Sequence, residues 1–117
     1  EFCRAFGMPY VKVAGMADGF DFDAFAHGYP DASAFLLDTH DDDVGGGTGR
    51  SFDWSRWPRS DRPLMLAGGL HPDNVAAAVA ATRPYAVDVA SGVEGDVAGR
   101  KDAARVARFM AEVAGVQ

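Results

Sequence analysis

"LMLAGGLHPDNV", residues 64–75, joins a short apolar run to two glycines and then to a segment with a helical pattern. Four apolar residues in a row predict a strand that is buried on both faces. Pro72 stands where the first helical position is expected, and the alanine-rich residues 75–82 continue the helix. The stretch predicts a strand–turn–helix unit. Gly68 and Gly69 either make its turn tight or let another group approach the backbone closely.

Three further apolar runs and three further helical patterns flank this unit. Alternation of this kind predicts a parallel α/β sheet with right-handed crossovers, in a single domain over residues 1–117. A length of 117 residues also suits a flavodoxin-like doubly wound sheet, which stays open as an alternative. The predicted strands are 10–14, 34–37 and 85–90, and the predicted helices are 1–6, 22–29 and 101–113.

The composition excludes several classes of function. The formal net charge of −6 argues against a surface for nucleic acid or anionic membranes, because both require clustered Lys and Arg. No stretch approaches the ~20 apolar residues of a membrane span. Cys3 is the only cysteine, so no intrachain disulfide can form, which fits a reducing cytoplasm. Because the chain starts with Glu1 inside a helical pattern, we expect a cut N-terminus and not a natural start.

The most distinctive residues follow the predicted strands. Ligands of parallel α/β folds lie at the carboxyl ends of the strands. Glycine lets backbone N–H groups approach a phosphate, and a helix N-terminus adds a positive dipole end. Two such motifs on successive strands favour phosphate binding over tight turns alone. The predicted phosphate-binding residues are Gly68, Gly69, Ser91 and Gly92.

Asp38 closes a buried strand, so its carboxyl group is expected at the ligand end. A neutral carboxyl group there can donate a proton. The alternative role is to accept backbone hydrogen bonds from the next loop. His40 stands beside three aspartates in this loop, but no metal-ligand spacing is recognisable, and no metal site is predicted. Asp41, Asp42 and Asp43 are expected to form a solvated acidic loop.

The glycine-rich loop "GGGTGR", residues 45–50, fits neither the Walker pattern nor G-x-G-x-x-G. A long glycine-rich loop on the ligand side is either a flexible surface loop or a lid over the substrate. The candidate lid residues are Gly46, Gly47, Thr48, Gly49 and Arg50.

The blocks "FLLDT", "GGGTGRSFDW", "LMLAGGLHPDNV", "YAVDVASGVE" and "GRKDAARVARFM" resemble the phosphoribosylanthranilate isomerase family of tryptophan biosynthesis. The resemblance is dense over residues 34–110. It departs at Arg50, His71 and Ala90, where the family usually has lysine, asparagine and serine. The resemblance implies a TIM (β/α)₈ barrel of which this chain matches strands five to eight, a half-barrel.

The same resemblance implies the chemistry. The family rearranges phosphoribosylanthranilate, an aminoaldose phosphate, to the corresponding ketose, with no metal or organic cofactor. The resemblance implies that Asp38 is the general acid and that Gly68, Gly69, Ser91 and Gly92 bind the ribose phosphate. The family's general base lies on the first barrel strand, and Cys3 does not match it.

The expected partners are a phosphorylated small molecule and the missing N-terminal half-barrel, or self-association through open sheet edges. We expect the chain alone to be inactive. Two alternatives remain: a non-catalytic module that binds a phosphoryl ligand, and another phosphate-binding barrel enzyme.

Overall fold

The computed structural model describes residues 1–17, 19–39 and 53–116. Within these ranges, strands and helices alternate as the sequence predicts. One 3-10 helix precedes the third strand and another follows the fourth. The elements in chain order are α1 (Phe2–Ala5), β1 (Val11–Gly15), α2 (Phe22–His27), β2 (Ala34–Asp38), a 3-10 helix (Trp54–Arg56), β3 (Leu64–Ala67), α3 (Val75–Thr82), β4 (Ala86–Val87), a 3-10 helix (Ser91–Val93) and α4 (Ala103–Ala114).

The described strands form one parallel sheet, and their order across the sheet is their order in the chain. A doubly wound sheet would reverse its strand order at a switch point. The sequential order contradicts the flavodoxin-like alternative. The register aligns Gly15 with Asp38 and Asp38 with Ala67, so these strands end together at one edge of the sheet.

The hydrophobic core lies between the helices and one face of the sheet. Phe35, Leu37 and Leu66 on this face are fully buried. Phe22 of α2 meets Phe35 edge-on, with ring centroids 5.2 Å apart, and Val75 of α3 packs around Leu66. Burial of each such side chain stabilises the fold by about 1.5–3 kcal/mol. This layer fixes the helices on one side of the sheet.

The opposite face of the sheet is only partly covered. Val11 is 46% exposed and Val13 is 58% exposed. Leu36 and Met65 share this face by register and are half-buried. The prediction that every strand is buried on both faces is wrong for β1, because α2, α3 and α4 pack against the other face.

The fourth strand is shorter than predicted. The predicted strand 85–90 is reduced to Ala86–Val87, and Tyr85 is 77% exposed. The N–H of Asp88 still donates to the carbonyl of Leu66 at 2.8 Å, after which the chain enters its 3-10 helix. This early end leaves Asp88 at the carboxyl edge.

The start of α3 is also displaced from its predicted position. The helix begins at Val75 and not at Pro72. The N–H groups of Asn74 and Val75 both donate to the carbonyl of His71 at 3.1 Å, so residues 71–74 form a turn. No helix in the described ranges has the length and apolar character needed to cross a membrane.

Candidate functional site

A pocket of about 280 Å³ opens at the carboxyl edge of β2, β3 and β4. The structure brings Asp38 together with all four predicted phosphate-binding residues around it. They converge because the parallel strands end at one edge. The lining residues are Leu36, Asp38, Ala67, Gly68, Gly69, Leu70, Asp88, Val89, Ala90, Ser91 and Gly92.

The turn after β3 requires glycine for its backbone conformation. Gly68 has φ +95° and Gly69 has φ +68°, values that L side chains rarely adopt. A Cβ on Gly69 would meet no described protein atom within 4 Å, so crowding does not explain this glycine. The buried Thr39 hydroxyl lies 3.0 Å from the carbonyl oxygen of Ala67 and 3.1 Å from that of Gly68, and donates to them.

Gly92 has a different reason to be glycine. A Cβ at this position would lie 1.7 Å from the carbonyl oxygen of Leu70 and 2.8 Å from its carbonyl carbon. The turn after β4 therefore packs directly on the backbone of the turn after β3. The sequence interpretation, in which glycine makes room for a ligand, is wrong for the Cβ position of Gly92, because another loop occupies that space.

Backbone N–H groups surround the pocket without protein acceptors. Among the described residues, the N–H groups of Gly68, Gly69, Ser91 and Gly92 donate to no protein atom. Gly68 and Gly92 are half-buried, where N–H groups are normally paired, whereas Gly69 and Ser91 are exposed. Such a group of unpaired donors at a pocket indicates a site for an anion. The described lining contains neither Lys nor Arg, so the backbone is its main source of donors.

Two carboxylates line the same pocket. Asp38 ends β2, and Asp88 follows the last residue of β4. Sequence reasoning singled out Asp38 and missed Asp88. The available signal was the position of Asp88 directly after an apolar pair in "AVDVASG". The pocket therefore combines groups that can exchange protons with donors that can hold an anion.

The loop after β4 is fastened by one ion pair. The Lys101 ammonium lies 3.0 Å from the Glu94 carboxylate and 2.9 Å from the carbonyl oxygen of Ala90. The N–H of Gly99 donates to the other Glu94 oxygen at 2.8 Å. The hydrogen bond from Gly99 and then that from Lys101 hold the pKa of the Glu94 carboxyl below its usual range. Arg105 donates to the Glu94 carbonyl at 2.9 Å and connects the loop to α4.

A separate cluster of polar side chains lies near α1 and the amino-terminal end of β1. Cys3 lines a larger hollow of about 860 Å³ beside Tyr10, at the start of β1. This hollow shares no lining residue with the pocket at Asp38. Arg4 and Tyr10 donate to the Asp31 carboxylate, at 2.7 Å and 2.6 Å. The hydrogen bond from Arg4, and to a smaller extent that from Tyr10, holds the pKa of Asp31 well below its usual range.

Two predictions from the sequence lie outside the described residues. They are the candidate lid, residues 46–50, and the acidic loop with its histidine, residues 40–43. The lid interpretation therefore stays a prediction.

Comparison with known proteins identifies the family. The model of the family described as N-(5′-phosphoribosyl)anthranilate (PRA) isomerase matches residues 4–112. The chain belongs to the PRA isomerase family. The PRA isomerase of Acidithiobacillus ferrooxidans is 53% identical over 113 residues, which cover 97% of this chain and 55% of that protein. The PRA isomerase of Hahella chejuensis is 50% identical over 114 residues, which cover 97% of this chain and 53% of that protein.

Solved PRA isomerases share the fold of the chain. The crystal structure of the Thermotoga maritima PRA isomerase superposes with a TM-score of 0.78 at 39% identity, over 97% of this chain and 56% of that one. A PRA isomerase in complex with reduced 1-(O-carboxyphenylamino)-1-deoxyribulose 5-phosphate superposes with a TM-score of 0.69 at 33% identity, over 97% of this chain and 53% of that one. The chain thus spans about half the length of the PRA isomerases that it matches.

Proposed function

We propose that this chain forms the phosphate-binding and proton-donating side of a PRA isomerase. The observation that carries the proposal is the pocket that Asp38 lines together with N–H groups from two turns, which donate to no protein atom among the described residues. A site that acts on a sugar phosphate needs N–H donors to bind the phosphate, and it needs a group that can transfer a proton a few atoms away. Family membership and the ligand of one solved relative support the same substrate class.

In this proposal the phosphate of phosphoribosylanthranilate binds the N–H groups of Gly68, Gly69, Ser91 and Gly92. Backbone donors are fixed before the substrate arrives, so little reorganisation opposes binding. The phosphate takes no part in bond changes. Its binding energy orients the ribose toward the carboxylates.

Asp38 is the proposed general acid. Its proton goes to the ribose ring oxygen as the C1′–O bond breaks, which leaves a protonated imine between C1′ and the anthranilate nitrogen. A base then removes the C2′ proton to give the enolamine, which tautomerises to the ketone. Asp88 lines the same pocket and is the other described carboxylate near these steps. By family resemblance the base is supplied by a strand that this chain does not match.

The proposed architecture is the half of a (β/α)₈ barrel that carries strands five to eight. The helices on one sheet face and the open opposite face support this arrangement, since a barrel keeps its helices outside. Val11 and Val13 of the edge strand β1 would then meet the interior formed with the other half. The partner of this surface is the remaining half-barrel, and in its absence a second copy.

The test uses a completed barrel, in which this chain is joined to the part of the A. ferrooxidans relative that it does not match. We expect this protein to convert phosphoribosylanthranilate and to bind inorganic phosphate as a competitor. Gly69→Val should abolish both by filling the space next to the turn. Gly7→Val is the matched control, because Gly7 has φ +64° and equally open surroundings but lies outside the pocket.

The outcomes separate the alternatives. A folded completed barrel that binds phosphate without turnover would favour the non-catalytic module. Turnover of a different sugar phosphate would favour another barrel enzyme. Unchanged phosphate affinity in Gly69→Val would remove the phosphate assignment.

A further inference from the structure

Several backbone carbonyl groups of the two turns that line the pocket accept hydrogen bonds from side chains. The Thr39 hydroxyl donates to the carbonyl oxygens of Ala67 and Gly68 at 3.0 Å and 3.1 Å. The Asn74 amide donates to the carbonyl oxygen of Gly69 at 2.9 Å. The Lys101 ammonium donates to the carbonyl oxygen of Ala90 at 2.9 Å. Thr39, Asn74 and Lys101 are absent from the pocket lining, so each acts from outside it.

The planarity of the peptide bond connects these contacts to the pocket. In a trans peptide the C=O of one residue and the N–H of the next lie in one plane and point in opposite directions. The described residues contain no cis peptide bond. A donor that holds the Ala90 carbonyl therefore also sets the direction of the Ser91 N–H. By the same geometry, Thr39 sets the N–H groups of Gly68 and Gly69, and Asn74 sets that of Leu70.

We propose that Thr39 and Lys101 are positioning residues of the anion site, which aim its N–H groups by fixing the carbonyl ends of the same peptides. The inference rests on the proposed function, since it presumes that these N–H groups bind phosphate. Lys101 is the stronger of the two, because its donor is charged. A charged donor on a carbonyl also polarises the peptide and strengthens the N–H at its other end.

Lys101 itself is held in place by Glu94. The Glu94 carboxylate accepts from Lys101 and from the N–H of Gly99, and its side chain is only 18% exposed. The backbone of residues 94 and 101 pairs as an antiparallel bridge, which brings the two side chains together. The ammonium therefore reaches Ala90 from a fixed position, although its own side chain is 49% exposed.

The test compares Lys101→Met with Arg100→Met in the completed barrel. Both variants remove one positive charge from the same loop, but no carbonyl contact is made by the Arg100 side chain among the described residues. Inorganic phosphate is titrated while the amide resonances of Ser91 and Gly69 are followed by NMR. We expect Lys101→Met to weaken phosphate about five- to twentyfold and to abolish the response of Ser91, while Gly69 still responds. Arg100→Met should change the affinity less than twofold, and Lys101→Arg should restore most of it.

Steady-state kinetics provide a second measurement. The phosphate lies away from the reacting carbons, so Lys101→Met should raise KM for phosphoribosylanthranilate and leave kcat nearly unchanged. A purely structural role would lower the melting temperature and leave the Ser91 response intact. Equal effects of Lys101→Met and Arg100→Met would overturn the positioning role and leave the phosphate site standing. If neither amide responds to phosphate in the unsubstituted protein, the proposed function itself fails.

Thr39 offers an independent check on the other turn. Thr39→Val keeps the shape and removes the hydroxyl, whereas Thr39→Ser keeps the hydroxyl. We expect Thr39→Val to suppress the phosphate response of Gly69 and to spare that of Ser91, the reverse of Lys101→Met. A folded Thr39→Val protein with both responses intact would contradict the proposal for this turn.

Discussion

The contact between the two turns makes Gly92→Ala the most informative substitution in this protein. The added Cβ would lie 1.7 Å from the carbonyl oxygen of Leu70, whereas real Cβ contacts are essentially never below 3.0 Å. One turn must therefore move by about 1.3 Å. The three nearest atoms, in Leu70 and His71, all belong to the backbone, so no side chain can rotate away.

The expected cost follows from this rigidity. An added methylene in a packed region usually costs about 1–3 kcal/mol, and a backbone clash should lie at the upper end. Loss of unfolded-chain entropy offsets about 0.4–1 kcal/mol of this for a Gly→Ala change. We expect Gly92→Ala to lower the free energy of unfolding by about 2 kcal/mol. Because the turns carry the anion donors, phosphate affinity should fall as well.

Two other glycines calibrate the measurement. Gly28→Ala should be neutral or stabilising, because Gly28 has φ −75° and an ordinary 3.4 Å contact to the carbonyl of Phe25. Gly69→Ala should cost about 1–2 kcal/mol through its φ of +68° alone. The assay is urea unfolding of the completed barrel, with phosphate titration on the same samples. If Gly92→Ala were no worse than Gly28→Ala, the packing of the two turns would be refuted.

Three further predictions concern the acid, the amino-terminal cluster and the open sheet face. Asp38→Asn in the completed barrel should keep product-analogue binding within about tenfold and lower turnover by about two to four orders of magnitude. Near-normal turnover in a folded protein would end the general-acid role. The depressed pKa of Asp31 means that its ionised form stabilises the fold above its ordinary pKa of about 3.9, and that this stability is lost as the pH falls through the lower folded value. The difference in melting temperature between the unsubstituted protein and Arg4→Met should therefore narrow below about pH 4; a constant difference would contradict this. The chain alone should dimerise or aggregate at micromolar concentration because Val11 and Val13 are exposed, and Val13→Lys should reduce this in sedimentation. Monomeric behaviour without the substitution would argue against an open half-barrel.

The parallel sheet and the residues at its carboxyl edge could be predicted because they follow from local patterns, whereas the patterns left the strand order open between a barrel and a doubly wound sheet. Apolar runs such as Leu64–Ala67 end in glycine, and parallel strands bring such ends together. The position of Asp38 needed only the rule that a residue at the end of a buried strand faces the ligand edge. This part of the prediction depends on chain order and not on detailed packing.

The support of the site could not be predicted, because it depends on contacts between segments far apart in the chain. The sequence around Gly92 does not indicate that a Cβ at this position would clash with the backbone of Leu70. Thr39 ends the "FLLDT" block, but the sequence assigns no role to its hydroxyl, which reaches its acceptors only because β2 and β3 end side by side. The exposure of Val13 was also missed, since an apolar run alone does not show that one face lacks a covering layer.

The absence of Lys and Arg from the described pocket lining has a consequence for how fast an anion arrives. The chain has a formal net charge of −6, and Asp88 lines its pocket. A phosphate dianion therefore approaches against a repulsive field and is attracted only at hydrogen-bond range. Added salt shortens the screening length from about 30 Å at 0.01 M to about 8 Å at 0.15 M. As far as the charges of this chain determine it, the association rate constant of phosphate should increase with ionic strength. Sites that attract phosphate with surface lysines should show the opposite dependence.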